Sequence, residues 1–267
     1  MAISDEYGST YCAPIFLSKP FMQDGHTAEK ANGTMTFVKY QNARYVVTCS
    51  HVYHQQKLHT SSERHLTAVG NSKTVFQFGG YGPDGYVSAF KALQKTELDN
   101  QNPDIAIAPV GRSFIELYML KNNKDFIDLD NWIEPDWGYN CHKLACGYAT
   151  EHKVQTETHV LAAYFQAILE PTLPANPTRN TFSLFSSLEN EHNFYFSGMS
   201  GGPVFTKFEE SKNLSAIGII FEGTPGSSKE WALRDEGAFF TGSDVKLDAL
   251  LLTPSIFKQW LQMADLL

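Results

Sequence analysis

What the 267-residue chain has little of narrows the reading first. It carries four cysteines, Cys12, Cys49, Cys141 and Cys146, too few and too irregularly placed for a disulfide-stapled scaffold. Cys141-His142-x3-Cys146 looks like half of a zinc site. The nearest downstream histidine is His152 and no further cysteine follows, so a second ligand pair is lacking and no metal is expected. No apolar stretch approaches the roughly 18 residues of a bilayer-spanning helix. Basic residues are outnumbered, 21 Lys and Arg against 29 Asp and Glu for a formal net charge of −8, which speaks against a nucleic acid or an anionic membrane as partner. The stretch from Met1 to Phe21 has Asp5 and Glu6 where a secretory leader has bases, and its apolar run, Ala13 to Leu17, is shorter than a leader's core. A cytoplasmic protein with reduced thiols is the expectation. Histidine is missing from one region as well: of nine, the last is His192.

Aromatic residues, by contrast, make up 13% of the sequence, in short runs punctuated by turn residues, and that combination favours β-structure. Thr34-Met-Thr-Phe-Val-Lys-Tyr40 alternates, breaks at Gln41-Asn42-Ala43 and resumes as Arg44-Tyr-Val-Val-Thr48, the pattern of a hairpin. Further strands are expected at Thr74–Phe78, Tyr86–Leu93, Ile105–Val110, Leu144–Tyr148, His159–Leu169, Asn193–Phe196, Val204–Phe208, Leu214–Phe221 and Ala238–Thr241. Phe114 to Trp137 reads equally as strand or helical turn. Near the C-terminus, Thr253-Pro254 is a helix-start signal, with a capping hydroxyl and proline at the first helical position. Ile256, Trp260 and Met263 then share a face. Many short strands followed by one helix predict an all-β barrel or sandwich closed by a helix.

One stretch asks for more than a turn. Phe194-Tyr-Phe-Ser-Gly198-Met-Ser200-Gly-Gly-Pro-Val-Phe205 surrounds a serine with three glycines, as if the main chain must bend where a ligand approaches closely. Gly198-Met199-Ser200-Gly201-Gly202 fits the G-x-S-x-G pattern of the α/β-hydrolase elbow, but that elbow needs a following helix and a histidine after the serine. Pro203-Val204-Phe205 begins a strand and no histidine follows Ser200, so the elbow is excluded. A serine nucleophile needs a base and a group to orient it, and both must lie upstream. His51 ends the buried run Tyr45-Val-Val-Thr-Cys-Ser50. Asp104 heads the apolar run Ile105-Ala-Ile-Ala108, where a carboxylate can receive an imidazole N–H. His54, His59 and His65 are expected on a solvated loop.

Val-Val-Thr-Cys-Ser-His51, Asp104-Ile-Ala-Ile and Gly198-Met-Ser200-Gly-Gly-Pro-Val, in that order, resemble the three signature blocks of trypsin-like (chymotrypsin-fold) serine peptidases: T-A-A-H, D-I-A-L and G-D-S-G-G-P. The resemblance runs from about Gly33 to Trp260. It implies an all-β single domain of two perpendicular six-stranded β-barrels with a C-terminal helix. The first barrel would span about residues 10–120, the second about 135–252 and the helix about 254–265. It implies a catalytic triad of His51, Asp104 and Ser200, an oxyanion hole from the N–H groups of Gly198 and Ser200, and no cofactor.

The same resemblance maps the substrate pocket onto Ile220-Phe221-Glu222-Gly223, with Gly237-Ala238-Phe239 opposite and Phe194 near the base. An open pocket without an acid at its base favours a bulky apolar side chain, although Glu222 would attract a basic one at a neighbouring subsite. Two departures from the secreted members carry information. Met199 stands where zymogen-activated members have an aspartate, so N-terminal cleavage is not the expected control. Val52 replaces the cysteine after the histidine, which is similar to the intracellular, disulfide-free branch. The expected function is a serine endopeptidase acting on protein or peptide, with restricted specificity and control by a partner or signal. The alternatives are a triad-bearing sensor or adaptor that binds a partner and is inactive alone, and an esterase using the same site.

Overall fold

A computed structural model describes residues 7–18, 28–58, 65–70, 74–95, 101–135, 142–149, 153–155, 160–176, 180–187, 196, 198–207, 214–223 and 244–267. The chain is mostly β. Its first unit contains β1 (Cys12–Ser18), β2 (Ala28–Tyr40), β3 (Ala43–Thr48), β4 (His65–Val69), β5 (Val75–Phe78), β6 (Tyr81–Gly82), β7 (Gly85–Tyr86), β8 (Lys91–Ala92), β9 (Ala106–Pro109) and β10 (Ile127–Asp128). Eight of these make one sheet in the order β5-β4-β1-β2-β3-β9-β8, with β10 added in parallel to β2. The sheet curls into a half-barrel. Among the described residues its end strands, β5 and β8, do not pair with each other, and a half-barrel beside a closed barrel is compatible with a two-barrel fold. Residues 127–128 join this sheet through the parallel pairing of β10 with β2.

The second unit contains β11 (Lys143–Gly147), β12 (Lys153–Gln155), β13 (Val160–Ala162), β14 (Phe165–Asn176), β15 (Thr181–Ser187), β16 (Pro203–Lys207), β17 (Leu214–Gly223) and β18 (Asp244–Leu251). Six strands close into a barrel, β11-β14-β15-β18-β17-β16, with β16 pairing back to β11. Closure needs sharp bends, and β-bulges supply them: the register slips twice along β14–β15 and once between Ile220 and Glu222 on β17. Phe221 is the extra residue at that last slip.

The expected hairpin is β2–β3. Gln41 and Asn42, at φ 49° and 62°, are the left-handed pair of a type I′ turn, whose twist matches the flanking strands. The Phe114–Trp137 stretch opens as a short helical passage, α over Arg112–Phe114, π over Ile115–Met119 and 3-10 over Leu120–Asn122. Phe114 and Tyr118, one turn apart, stack at 4.8 Å and plug the half-barrel core beside Phe37, Phe76 and Met119. The Tyr86–Leu93 strand is mostly not one, since only Gly85–Tyr86 and Lys91–Ala92 pair. The strands β1, β4, β6, β12, β15 and β18 were not foreseen. Asn193–Tyr195 and Ala238–Thr241 lie outside the described residues, and Phe196 is not in a strand.

Three cores hold this together. One fills the half-barrel, a second fills the closed barrel around Leu169, Leu184, Val204 and Ile217, and a third lies between the units. The C-terminal helix (Pro254–Met263) completes the third core. Thr253 caps it, its hydroxyl accepting from the Ile256 N–H at 3.2 Å. Ile256, Phe257, Trp260 and Leu261 are its buried residues, whereas Met263, expected on the same face, is 46% exposed. Phe257 meets Tyr40 and Tyr45 edge-on at 5.8 and 5.6 Å, tying the helix to the first hairpin.

Candidate active site

The run ending at His51 does not stop as a strand. β3 ends at Thr48, and a helix (Ser50–Leu58) starts with His51 in its first turn. The first N–H groups of a helix lack partners within it, and Asp104 satisfies one. Its Oδ1 accepts from the His51 backbone N–H at 3.0 Å, while its Oδ2 lies 2.6 Å from the ring Nδ1. A carboxylate accepts and does not donate, so the proton of that bond sits on Nδ1, and in the neutral ring the lone pair is on Nε2. One acid thus caps the helix, fixes the tautomer and aims the ring. Its side chain is 16% exposed and that of His51 33%, so the carboxylate is shielded while the ring reaches open space. Ser50 braces the corner: its hydroxyl donates to the Ile105 carbonyl at 2.6 Å, which locks the helix start to the residue after Asp104.

Ser200 sits in the loop before β16, and this loop is held by its backbone. Gly198 and Gly201 take φ of 90° and 91°, a region that side-chain-bearing residues rarely adopt. A Cβ on Gly201 would also lie 2.1 Å from the Thr34 carbonyl, and one on Gly202 2.1 Å from the Cys146 carbonyl. The glycines are there because strands of both units press against the loop. Met199 N–H donates to Phe196 O, Gly201 N–H to Ile220 O, and Gly202 N–H to Met199 O, at 3.1, 2.8 and 2.8 Å. Among the described residues the N–H groups of Gly198 and Ser200 donate to no carbonyl. In a trans peptide the N–H points opposite to the preceding C=O, so the bond that fixes the Met199 carbonyl toward Gly202 turns the Ser200 N–H outward.

The segments carrying His51 and Ser200 abut. The Ile220 carbonyl accepts from Gly201 N–H and from the Cys49 thiol, at 2.8 and 3.2 Å, joining the serine loop to a residue two before His51. A Cβ on Gly33 would meet Val52 at 2.9 Å and the Ser200 carbonyl at 3.3 Å. The Ser200 hydroxyl donates to the carbonyl of Phe221, the bulged residue of β17, at 3.4 Å. Among the described residues no hydrogen bond joins it to the His51 ring. Of the residues mapped to substrate binding, Phe221, Glu222 and Gly223 line up at the end of β17, all partly exposed. Phe194, Gly237 and Phe239 lie outside the described residues.

Cys49, His51 and Asp104 bring a thiol, an imidazole and a carboxylate within 4.8 Å of one another. The donor set does not fit a metal. The imidazole and carboxylate are spent on each other. Burial, reinforced by the nearby Asp104 charge, pushes the Cys49 thiol well up, and a protonated thiol is not a ligand. In the half zinc pattern His142 is exposed while Cys146 is buried, its thiol pushed up to about 12 by that burial; Cys141 lies outside the described residues. The histidines expected on a solvated loop are placed otherwise where described. His54 is in the helix, its Nε2 2.7 Å from the Gln94 carbonyl, and His65 is in β4; His59 lies outside the described residues.

Sequence reasoning missed three threonines, Thr34, Thr36 and Thr48, all fully buried, that bond the serine loop or one another. The available signal was the alternation Thr34-Met-Thr-Phe, which reads as polar-out. The polar face of β2 in fact meets the second unit. No family model matches the chain, and no curated protein is detectably similar to it in sequence.

Proposed function

We propose that the chain is a trypsin-like serine endopeptidase, a single peptidase domain whose half-barrel and closed barrel correspond to the two perpendicular six-stranded barrels of that fold. The observation that carries the reading is the pair of hydrogen bonds that Asp104 accepts from the backbone N–H and the ring of His51. It leaves Nε2 as a base on the unit that abuts the Ser200 loop. In the reaction, His51 Nε2 removes the hydroxyl proton as Ser200 Oγ attacks a peptide carbonyl. The imidazolium is stabilised by Asp104, the Gly198 and Ser200 N–H groups receive the developing oxyanion, and the proton passes to the leaving amine. Water then enters by the same route and releases the acyl group. The substrate is a protein or peptide, bound along Phe221, Glu222 and Gly223, with an apolar side chain preferred. The setting is cytoplasmic, and neither a metal nor a cofactor takes part.

Comparing Ser200→Ala with the wild type on a peptide library tests this. Turnover is expected to fall by about 10⁶-fold, and equal cleavage by the two proteins would sink the reading. A second reading, a sensor or adaptor that becomes competent only when a regulatory partner binds, is favoured by one observation: the Ser200 hydroxyl faces the Phe221 carbonyl rather than His51. A fluorophosphonate probe separates the two. Labelling of the isolated protein supports a constitutive enzyme, and labelling only in lysate supports partner control. Ester turnover without peptide cleavage would instead favour an esterase.

A further inference from the structure

Thr34, near the middle of β2, makes four hydrogen bonds, two of them to the serine loop. Its N–H donates to the Ser200 carbonyl at 2.9 Å. Its hydroxyl donates to the Gly198 carbonyl at 2.7 Å and accepts from the Tyr148 N–H at 3.0 Å. Its own carbonyl accepts from the Thr48 hydroxyl at 2.8 Å. These bonds gather four segments: the first-unit strand itself, the end of β3 that leads to His51, the residue following β11, and the loop that carries Ser200. Two residues on, Thr36 donates to the Gly201 carbonyl at 2.6 Å. The carbonyls of Gly198, Ser200 and Gly201 are therefore all held by β2.

The consequence falls on the N–H groups between them. The Gly198–Met199 peptide is fixed at both ends, its carbonyl by the Thr34 hydroxyl and its N–H by Phe196. The Ser200–Gly201 peptide is fixed by the Thr34 N–H and the Ile220 carbonyl. Between these clamps the Met199–Ser200 peptide is itself held at its carbonyl by the Gly202 N–H at 2.8 Å, and anchoring both neighbours opposes rotation about the flanking bonds. We infer that the Thr34 hydroxyl is a positioning group for the oxyanion site: by holding the Gly198 carbonyl away from the cleft, it keeps the Ser200 N–H turned toward the substrate carbonyl. This inference rests on the peptidase reading. Preorganised donors contribute most where charge develops in the transition state and little to ground-state binding. The hydroxyl therefore acts on kcat and leaves KM almost alone.

Thr34→Val keeps shape and removes the hydroxyl; Thr34→Ser keeps the hydroxyl. Fluorophosphonate labelling of the wild type at Ser200 comes first, because absence of labelling there, with and without lysate, refutes the peptidase reading itself and this inference with it. Given labelling, Thr34→Val is expected to lower kcat and the labelling rate about 10- to 100-fold, with KM within about twofold, and Thr34→Ser to restore both. Thr67→Val is the control: Thr67 is another fully buried threonine, on β4 two strands from β2, whose hydroxyl bonds that of Ser18 at 2.6 Å. It is expected to lower the melting temperature with kcat retained. If Thr34→Val behaves like Thr67→Val, losing stability but not kcat, or if Thr34→Ser fails to rescue, the inference is overturned. Should Thr34→Val not fold, full wild-type kcat in Thr34→Ser supports the inference, and a kcat loss in Thr34→Ser as large as 10-fold counts against it.

Discussion

The two walls of the candidate cleft are held by different means. On the half-barrel side, one carboxylate orients the base through side-chain bonds to His51. On the closed-barrel side, Ser200 is placed by a main chain pinned on all sides, with glycines at the points of closest approach. A side-chain brace can be weakened without disturbing the fold, because an isosteric replacement keeps the packing. A main-chain clamp cannot, since any added atom collides with a neighbouring backbone. Rate and stability are therefore expected to separate across the cleft.

Asp104→Asn attacks the first wall. The amide preserves shape and can still accept from the His51 N–H, but it no longer enforces the Nδ1 tautomer. The rate constant kcat is expected to fall about 10⁴-fold with a melting temperature within a few degrees of wild type. A large loss of stability at equal rate would reverse the comparison. Gly201→Ala attacks the second wall, where the new methyl meets the Thr34 carbonyl and the residue must keep a left-handed φ. Its expected cost is about 3 kcal/mol in denaturant unfolding, and a midpoint unchanged from wild type would show that the loop is not clamped. Asp128→Asn touches neither wall and should do least. Asp128 pairs with Lys39 at 2.8 Å on the partly exposed β2–β10 edge, and the lysine hydrogen bond holds its carboxyl below the ordinary range. A carboxyl lowered in the folded state stabilises at pH values above its unfolded pKa and loses that contribution as pH falls through the folded one. The variant is thus expected to lose under about 1 kcal/mol at neutral pH, with the gap to wild type closing on acidification below the carboxylate range. A gap that widens in acid would contradict the pairing.

Legibility in the sequence followed the same division. His51, Asp104 and Ser200 stood out because the chemistry requires those residue types beside strand-like runs, and the structure pairs the first two directly. The β2–β3 hairpin and the C-terminal helix were legible from local turn and cap signals. What stayed hidden depends on partners far along the chain. Thr34 and Thr36 look like solvent-facing strand residues until the second unit covers them, some 165 positions later. Asp128 lies in the stretch that read equally as strand or helical turn, and only the pairing of β10 with β2 decides it. That β5 and β8 do not pair among the described residues has no sequence mark, because closure depends on strand tilt and stagger rather than on any residue.

The contact of Phe257 with Tyr40 and Tyr45 bears on the order of events at the ribosome. The first hairpin emerges about 200 residues before the helix that covers its aromatic outer face. Until residues 252–261 have been synthesised, the nascent half-barrel must carry that greasy surface uncovered. Its maturation therefore waits for the rest of the polypeptide, so that both halves reach their final form together and late.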